Sequence, residues 1–213
     1  MTGTVQILTR GPEFALTVAK LLSIDECQAL IQDSEARGYE PAPITTARGF
    51  EMRPDVRSNT RVMYDDHALA ERLWQRLHAH VPWGWPPPWV ATGLNERFRV
   101  YRYEPGQCFR WHFDGAFERS PTERSMCSVL VYLNDGFEGG TTDFHRGPSV
   151  APVCGTALVF THAQLHQGAS PTRGRKYVLR TDIMYRRDPA GWWDGADEIQ
   201  GPGAPSLLDS RAR

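Results

Sequence analysis

Phe109-Arg110-Trp111-His112-Phe113-Asp114-Gly115 alternates aromatic and polar side chains in the middle of the chain. In a strand, successive side chains point to opposite faces, so His112 and Asp114 project from one side while Trp111 and Phe113 point away. An imidazole and a carboxylate held in this way are two members of a two-histidine, one-carboxylate ligand set. Such a set covers one face of an octahedral iron and leaves positions open for oxygen and an organic co-substrate. His-x-Asp triplets also arise by chance, and a strand histidine more often simply packs or hydrogen-bonds. The assignment therefore depends on what the surrounding sequence supplies.

Around this stretch, from Glu96 onward, short β-type runs follow one another, each bounded by Gly, Pro, Asn or Asp. They cover residues 97–103, 128–134 (SVLVYLN), 140–144, 150–153, 156–160 and 176–185 (KYVLRTDIMY). Upstream the pattern is helical. Ser23 with Glu26 forms a capping-box signal, Ile24, Cys27, Leu30 and Ile31 share a face, and Gly38 stops the run. Asp65 or Asp66 caps a second helix that runs to about His80, with Leu69, Leu73 and Leu77 one turn apart and Pro82 beyond its end. Residues 1–12 read as a short lead-in and 14–22 as a strand or extended segment.

Helices on the N-terminal side of many short strands predict an α+β, mainly β, fold: a double-stranded β-helix (jelly-roll) core with supporting N-terminal helices. The organisation expected is a single structural domain. Residues 1–93 form the helical support and loops, 94–187 the jelly-roll core, and 188–213 a poorly ordered Gly- and Pro-rich tail, in which Trp192 and Trp193 can dock on the core. The polar stretch 39–63, carrying Arg48, Arg53, Arg57 and Arg61, reads as a solvated loop; the sharper alternative is a lid bearing a substrate-binding arginine. In residues 81–90 (VPWGWPPPWV) the tryptophans are expected to plug the end of the β core rather than line a groove.

The 213 residues are 40% hydrophobic, enough for one sizeable core. The 24 basic and 25 acidic side chains give a formal net charge of -1, against the basic excess of a nucleic-acid binder. Cys27, Cys108, Cys127 and Cys154 are scattered without metal-finger spacing and read as free thiols in a reducing compartment. Arg10, Glu13 and Lys20 interrupt any apolar leader, and no run reaches membrane-span length. The expectation is a cytoplasmic, soluble protein; nothing in the sequence sets its oligomeric state.

A third ligand is sought on a later strand, and both His162 and His166 qualify. His166 is preferred because it precedes Gly168 and lies ahead of the basic strand 176–185; His162 stays open as the alternative. On that strand Lys176, Val178 and Arg180 share a face, and two cations in a run that otherwise reads as buried demand an anion. A dicarboxylate such as 2-oxoglutarate, chelating iron through its keto-acid end, would present its distal carboxylate there. The competing account pairs the cations with Asp182 or Asp143. Tyr132 and Tyr103, and more weakly Thr142, can place hydroxyls inside the barrel.

Taken together, RYEPGQCFRWHFD, SVLVYLNDGFEGGTTDF, GTALVFTHAQLHQG and GRKYVLRTDIMY make residues 94–185 resemble the catalytic barrel of iron(II)- and 2-oxoglutarate-dependent dioxygenases, on the prolyl 4-hydroxylase-like branch. The resemblance implies iron ligands at His112, Asp114 and His166. It also implies the distal-carboxylate cation at Lys176 and 2-oxoglutarate contacts from Tyr132 and Tyr103. The cofactors implied are Fe(II), 2-oxoglutarate and O2, with ascorbate as the candidate reductant. The reaction implied is hydroxylation of an unactivated C–H bond, first of a prolyl residue in a protein or peptide, second of a small molecule or free amino acid. A non-catalytic cupin-like metal-binding module is the reading from another class. Arg180 is unusual for an inward position and would assist 2-oxoglutarate or grip an acidic group of the substrate.

Overall fold

A computed structural model describes residues 4–82 and 88–188. The elements that frame the site are, in chain order, β1 (Val5–Thr9), β2 (Ala15–Val18), α1 (Ile24–Arg37), β3 (Thr60–Asp65), α2 (His67–Leu77), β4 (Trp89–Leu94), β5 (Arg97–Tyr103) and β6 (Phe109–His112). They continue with β7 (Glu123–Tyr132), β8 (Thr142–Phe144), β9 (Ser149–Val150), β10 (Ala157–Thr161), β11 (His166–Gly168) and β12 (Lys176–Arg187). The main sheet runs β1-β2-β10-β7-β12-β5-β3, with β4 pairing the far part of β12. A smaller sheet runs β9-β8-β11-β6. All recorded pairings in both are antiparallel, as the jelly-roll pattern requires.

The central strands β7 and β12 read as near-continuous apolar runs because both of their faces are covered. Val129, Val131, Leu179 and Ile183 pack with Leu69, Leu73 and Leu77 of α2 in one core. Side chains of the opposite parity, Leu130, Tyr132 and Val178, join Tyr101, Tyr103, Leu158 and Phe160 in a second core inside the barrel. The helices are closed as their signals predict. Ser23 and Glu26 form the reciprocal capping box of α1, and the Asp66 carboxylate accepts from Leu69 N at the start of α2. Glu26 also holds Arg76 of α2 at 2.8 Å, tying the two helices together.

Several expectations are corrected. The lead-in holds strand β1, which pairs with β2 and extends the main sheet; its short apolar run lacks the length that marks a strand by itself. Residues 39–63 are not an irregular loop: Ile44–Thr46 and Gly49–Glu51 make a small hairpin, and β3 begins at Thr60 and pairs with β5. Polar residues there mislead because β3 lies at the rim of the sheet. Trp89–Leu94 is likewise a strand, bound to the end of β12. Ile24 is 63% exposed rather than on the buried face, since only Cys27 and Ser34 of α1 are fully covered. Strand β7 starts at Glu123, five residues ahead of the apolar run that marks it in the sequence. The tail expected to be poorly ordered, with Trp192 and Trp193, lies outside the described residues, as do Trp83 and Trp85 of the tryptophan-rich segment.

Candidate active site

The pairing of β11 with β6 sets His166 directly opposite His112, and Asp114 follows two residues after β6 ends. Trp111 and Phe113 point outward, 43% and 62% exposed, as strand alternation requires. Nε2 of His112 lies 3.7 Å from Asp114 Oδ1, and Nε2 of His166 lies 3.6 Å from Asp114 Oδ2. One ligand atom from each of the three residues falls within 4.8 Å of the others, an arrangement fit to hold a metal ion.

The imidazoles are oriented by the backbone. His112 Nδ1 lies 2.7 Å from Arg110 O, and His166 Nδ1 lies 3.0 Å from Gln164 O. A carbonyl can only accept, so each Nδ1 donates and each Nε2 keeps its lone pair for a metal. Burial, then the neighbouring His166, lowers His112 to about 3 against the opposing pull of Asp114, and burial lowers His166 as well. Both rings are therefore neutral at physiological pH, as ligation needs. For Asp114, burial pushes upward, but Arg180, His166, His112 and Ser128 outweigh it and hold the carboxyl well below the usual carboxylate range.

The cleft that the trio lines also holds a cation. Lys176 is 2% exposed; its Nζ donates to Gly140 O at 2.7 Å and lies 5.1 Å from the centre of the Tyr103 ring. Burial lowers its pKa to about 7, opposed only in part by Asp143, so the amine is charged most readily when an anion joins it. The Tyr132 hydroxyl donates to Thr142 Oγ1 at 2.9 Å beside it. Two glycines make the room. Gly140 has φ +66, and a Cβ there would stand 2.8 Å from the Phe137 ring and 3.2 Å from Lys176 Cδ. A Cβ on Gly168 would stand 3.3 Å from the Tyr103 hydroxyl. His112, Asp114, His166, Lys176, Tyr103, Thr142 and Arg180 all line one cleft.

Arg180 reaches Asp114 Oδ1 at 3.0 Å and Asp182 Oδ1 at 3.2 Å, so it bridges two carboxylates and the pairing with Asp182 is realised. His162, the alternative third ligand, faces Asp182 at 3.5 Å instead and stands apart from the trio. Three neighbours had no role in the sequence reading. Ser128 donates to Asp114 Oδ2 at 2.6 Å, the Phe109 ring stacks on His112 with centroids 3.4 Å apart, and Tyr101 meets Arg180 at 3.3 Å. Ser128 had a signal: a lone polar side chain in the apolar run SVLVYL needs a partner. Phe109 had none, because its contact depends on how β6 meets its neighbours.

Residues 98–181 match the family model of the 2OG-Fe(II) oxygenase superfamily. Among curated proteins, the chain is 27% identical over 173 residues to Probable prolyl 4-hydroxylase 11 of Arabidopsis thaliana, covering 75% of this chain and 58% of that protein. It is 24% identical over 167 residues to Prolyl 4-hydroxylase 1 of the same plant, covering 70% and 58%. The chain thus spans 58% of the length of each of these two relatives. Among solved structures, a Pseudomonas putida prolyl-4-hydroxylase superposes with TM-score 0.60 at 21% identity, over 81% of this chain and 92% of that one. The viral collagen prolyl hydroxylase of Paramecium Bursaria Chlorella virus-1, in its 2OG complex, gives TM-score 0.56 at 19% identity, over 81% and 96%. The family match spans the trio and Lys176, and the fold is similar to that of solved prolyl hydroxylases.

Proposed function

We propose that this chain is an iron(II)- and 2-oxoglutarate-dependent dioxygenase that hydroxylates an unactivated C–H bond, with a prolyl residue of a protein or peptide as its first candidate substrate. The observation that carries the reading is the convergence of His112, Asp114 and His166 in a cleft that the buried Lys176 also lines. Both histidines offer a free Nε2 and the carboxylate is ionised, so the donor set suits iron(II). With its co-substrates, the bound iron supplies oxidative decarboxylation to succinate and carbon dioxide and transfer of an oxygen atom to carbon.

The protein's own part is holding and excluding. Lys176 and the Tyr132–Thr142 pair would bind the distal carboxylate of 2-oxoglutarate, with Tyr103 packed along it. Ser128 and Arg180 keep Asp114 in place, and Phe109 fixes the plane of the His112 ring. The competitor within the class is a free amino acid or other small molecule. A cupin-like metal site without turnover would leave Lys176 buried at a cost and without use. Four free cysteines support a reducing, cytoplasmic setting, and ascorbate is the reductant we would supply in assay. Among the described residues, no helix is long and apolar enough to cross a membrane.

The test is anaerobic titration of the iron(II)-loaded protein with 2-oxoglutarate, following the weak visible charge-transfer band expected at roughly 500 nm. The band should form with wild type and be lost in His112→Ala and His166→Ala. Iron binding without the band would move the non-catalytic reading to the front.

A further inference from the structure

The interior wall of β3, β5 and β12 carries more positive charge than the site described above uses. Register places Arg61 opposite Tyr101, Met63 opposite Arg99, and Arg99 opposite Arg180, so these side chains share the inward face of three neighbouring strands. Arg57 joins them from the segment before β3. It is 5% exposed, and its guanidinium lies 4.7 Å from the centre of the Tyr101 ring and 4.3 Å from that of Phe109. Like charges directly across a strand pair repel. Arg99 and Arg180 tolerate this by sharing Asp182, at 3.5 and 3.2 Å.

The acids do not balance the bases. Asp114 and Asp182 face four arginines, and Glu40, paired with Arg61 on the edge strand, is exposed. The excess shows in the hydrogen bonding. Arg57 Nη2, Arg61 Nε and Arg180 Nε are buried with no hydrogen-bond partner among the described residues, and Arg99 Nη1 has its 3.5 Å ion pair with Asp182 but no hydrogen bond. Burial would raise the Tyr101 phenol at the centre of the group, yet Arg180, Arg57 and Arg99 together bring it down to about 8. Iron(II) and 2-oxoglutarate carry opposite double charges, so loading the site leaves the excess in place. Buried donors and charges left unpaired are costly, and the cost falls when a ligand supplies the missing anion.

We propose that Arg57, Arg61, Arg99 and Arg180, arranged around Tyr101, form a subsite for a carboxylate of the substrate, so that the hydroxylated carbon belongs to an acidic molecule. This rests on the barrel being the reaction site and narrows its substrate class. The carboxylate has two sources: an acidic side chain flanking a prolyl residue in a peptide, or the free α-carboxylate of a small imino acid. Arg180 is then a positioning residue for both Asp114 and the substrate anion, which gives a reason for its inward place on β12.

Binding rather than turnover tests the proposal. Labelled Ac-Gly-Glu-Pro-Glu-Gly-amide and its Gln isostere are titrated by fluorescence anisotropy, with the protein alone and then with iron(II) and 2-oxoglutarate under anaerobic conditions. N-acetyl-L-proline and its amide serve as the small-molecule arm. At least one carboxylate probe should bind about tenfold tighter than its neutral partner, with the difference shrinking at high salt. Which pair discriminates identifies the source. In Arg61→Gln and Arg99→Gln the preference should fall to about twofold or less, while Arg61→Lys, which keeps the charge, should retain part of it. Unchanged thermal melting of these variants confirms that they fold. Equal binding of acidic and neutral probes, a preference that survives the Gln variants, or displacement of the acidic probe by excess 2-oxoglutarate would overturn the subsite. A preference that persists in a protein forming no succinate would leave the subsite standing and remove the dioxygenase reading instead.

Discussion

The two faces of the main sheet are built from the same strands and obey different rules. On β12, Tyr177, Leu179 and Ile183 turn toward the helices, while Lys176, Val178, Arg180 and Asp182 turn toward the cleft or the polar network beside it. On β7, Val129 and Val131 belong to the first face, and Ser128, Leu130 and Tyr132 to the second. The helix face is dry and apolar, and its worth is burial. The inward face holds Lys176, Asp182 and a nearly covered Arg180 at an energetic cost, met in part by mutual pairing and left in part for ligands. Stability and function are thus separated by strand parity, one residue apart along the chain.

That separation can be broken from either side. The largest effect is expected from Asp114→Ala on the inward face. It removes the one carboxylate of the trio and should abolish tight iron(II) binding and succinate release while the fold persists; product formation at the wild-type rate would refute the ligand assignment. Lys176→Met comes next. It should weaken 2-oxoglutarate by about 10- to 100-fold in the anaerobic titration, as loss of a charge-assisted contact does. The same substitution should stabilise the ligand-free protein. The Lys176 amine sits at about 7 in the fold against an ordinary 10.5, so between those values the unfolded chain binds the extra proton and stability rises with pH. The full cost of the buried charge is present below about 7, and there Lys176→Met should gain on the order of 1–4 kcal/mol, a gain that fades toward pH 10.5. Denaturant melts across this range read the slope directly.

Leu179→Ala is the counterpart on the helix face. At 1% exposure it should cost about 2–5 kcal/mol of stability and leave 2-oxoglutarate affinity where it was. A parallel loss of co-substrate affinity would mean that the faces are coupled through β12. The smallest effect is Ser23→Ala, at the N-cap of α1 and far from the cleft. It should cost about 1 kcal/mol, softened because Glu26 keeps its bond to Arg76; thermal unfolding is the measurement.

Legibility followed the same division. Alternation along residues 109–115 and 176–185 is a local property, so the shared faces of His112 with Asp114, and of Lys176 with Arg180, could be read before any fold was known. The caps at Ser23 and Asp66 were equally local. Strands β1, β3 and β4 were not legible, because each is short or polar and becomes a strand only when a longer neighbour pairs with it. Arg57 reads as one more loop arginine until the fold brings Phe109 and Tyr101 beneath it.

The choice between His162 and His166 illustrates the boundary. Both lie ahead of the basic strand, and spacing alone leaves them as rivals. The register of β11 against β6 brings His166 opposite His112, whereas His162, just past the end of β10, meets Asp182. The sequence by itself determined the strand-rich second half, the capped helices, the two polar faces and the chemical types available for a site. Tertiary structure decided which of those groups meet, how many cations crowd one wall and which carboxylates answer them. Periodicity is written in neighbouring residues, whereas register, charge balance and burial are properties of strands that meet only after the chain has folded.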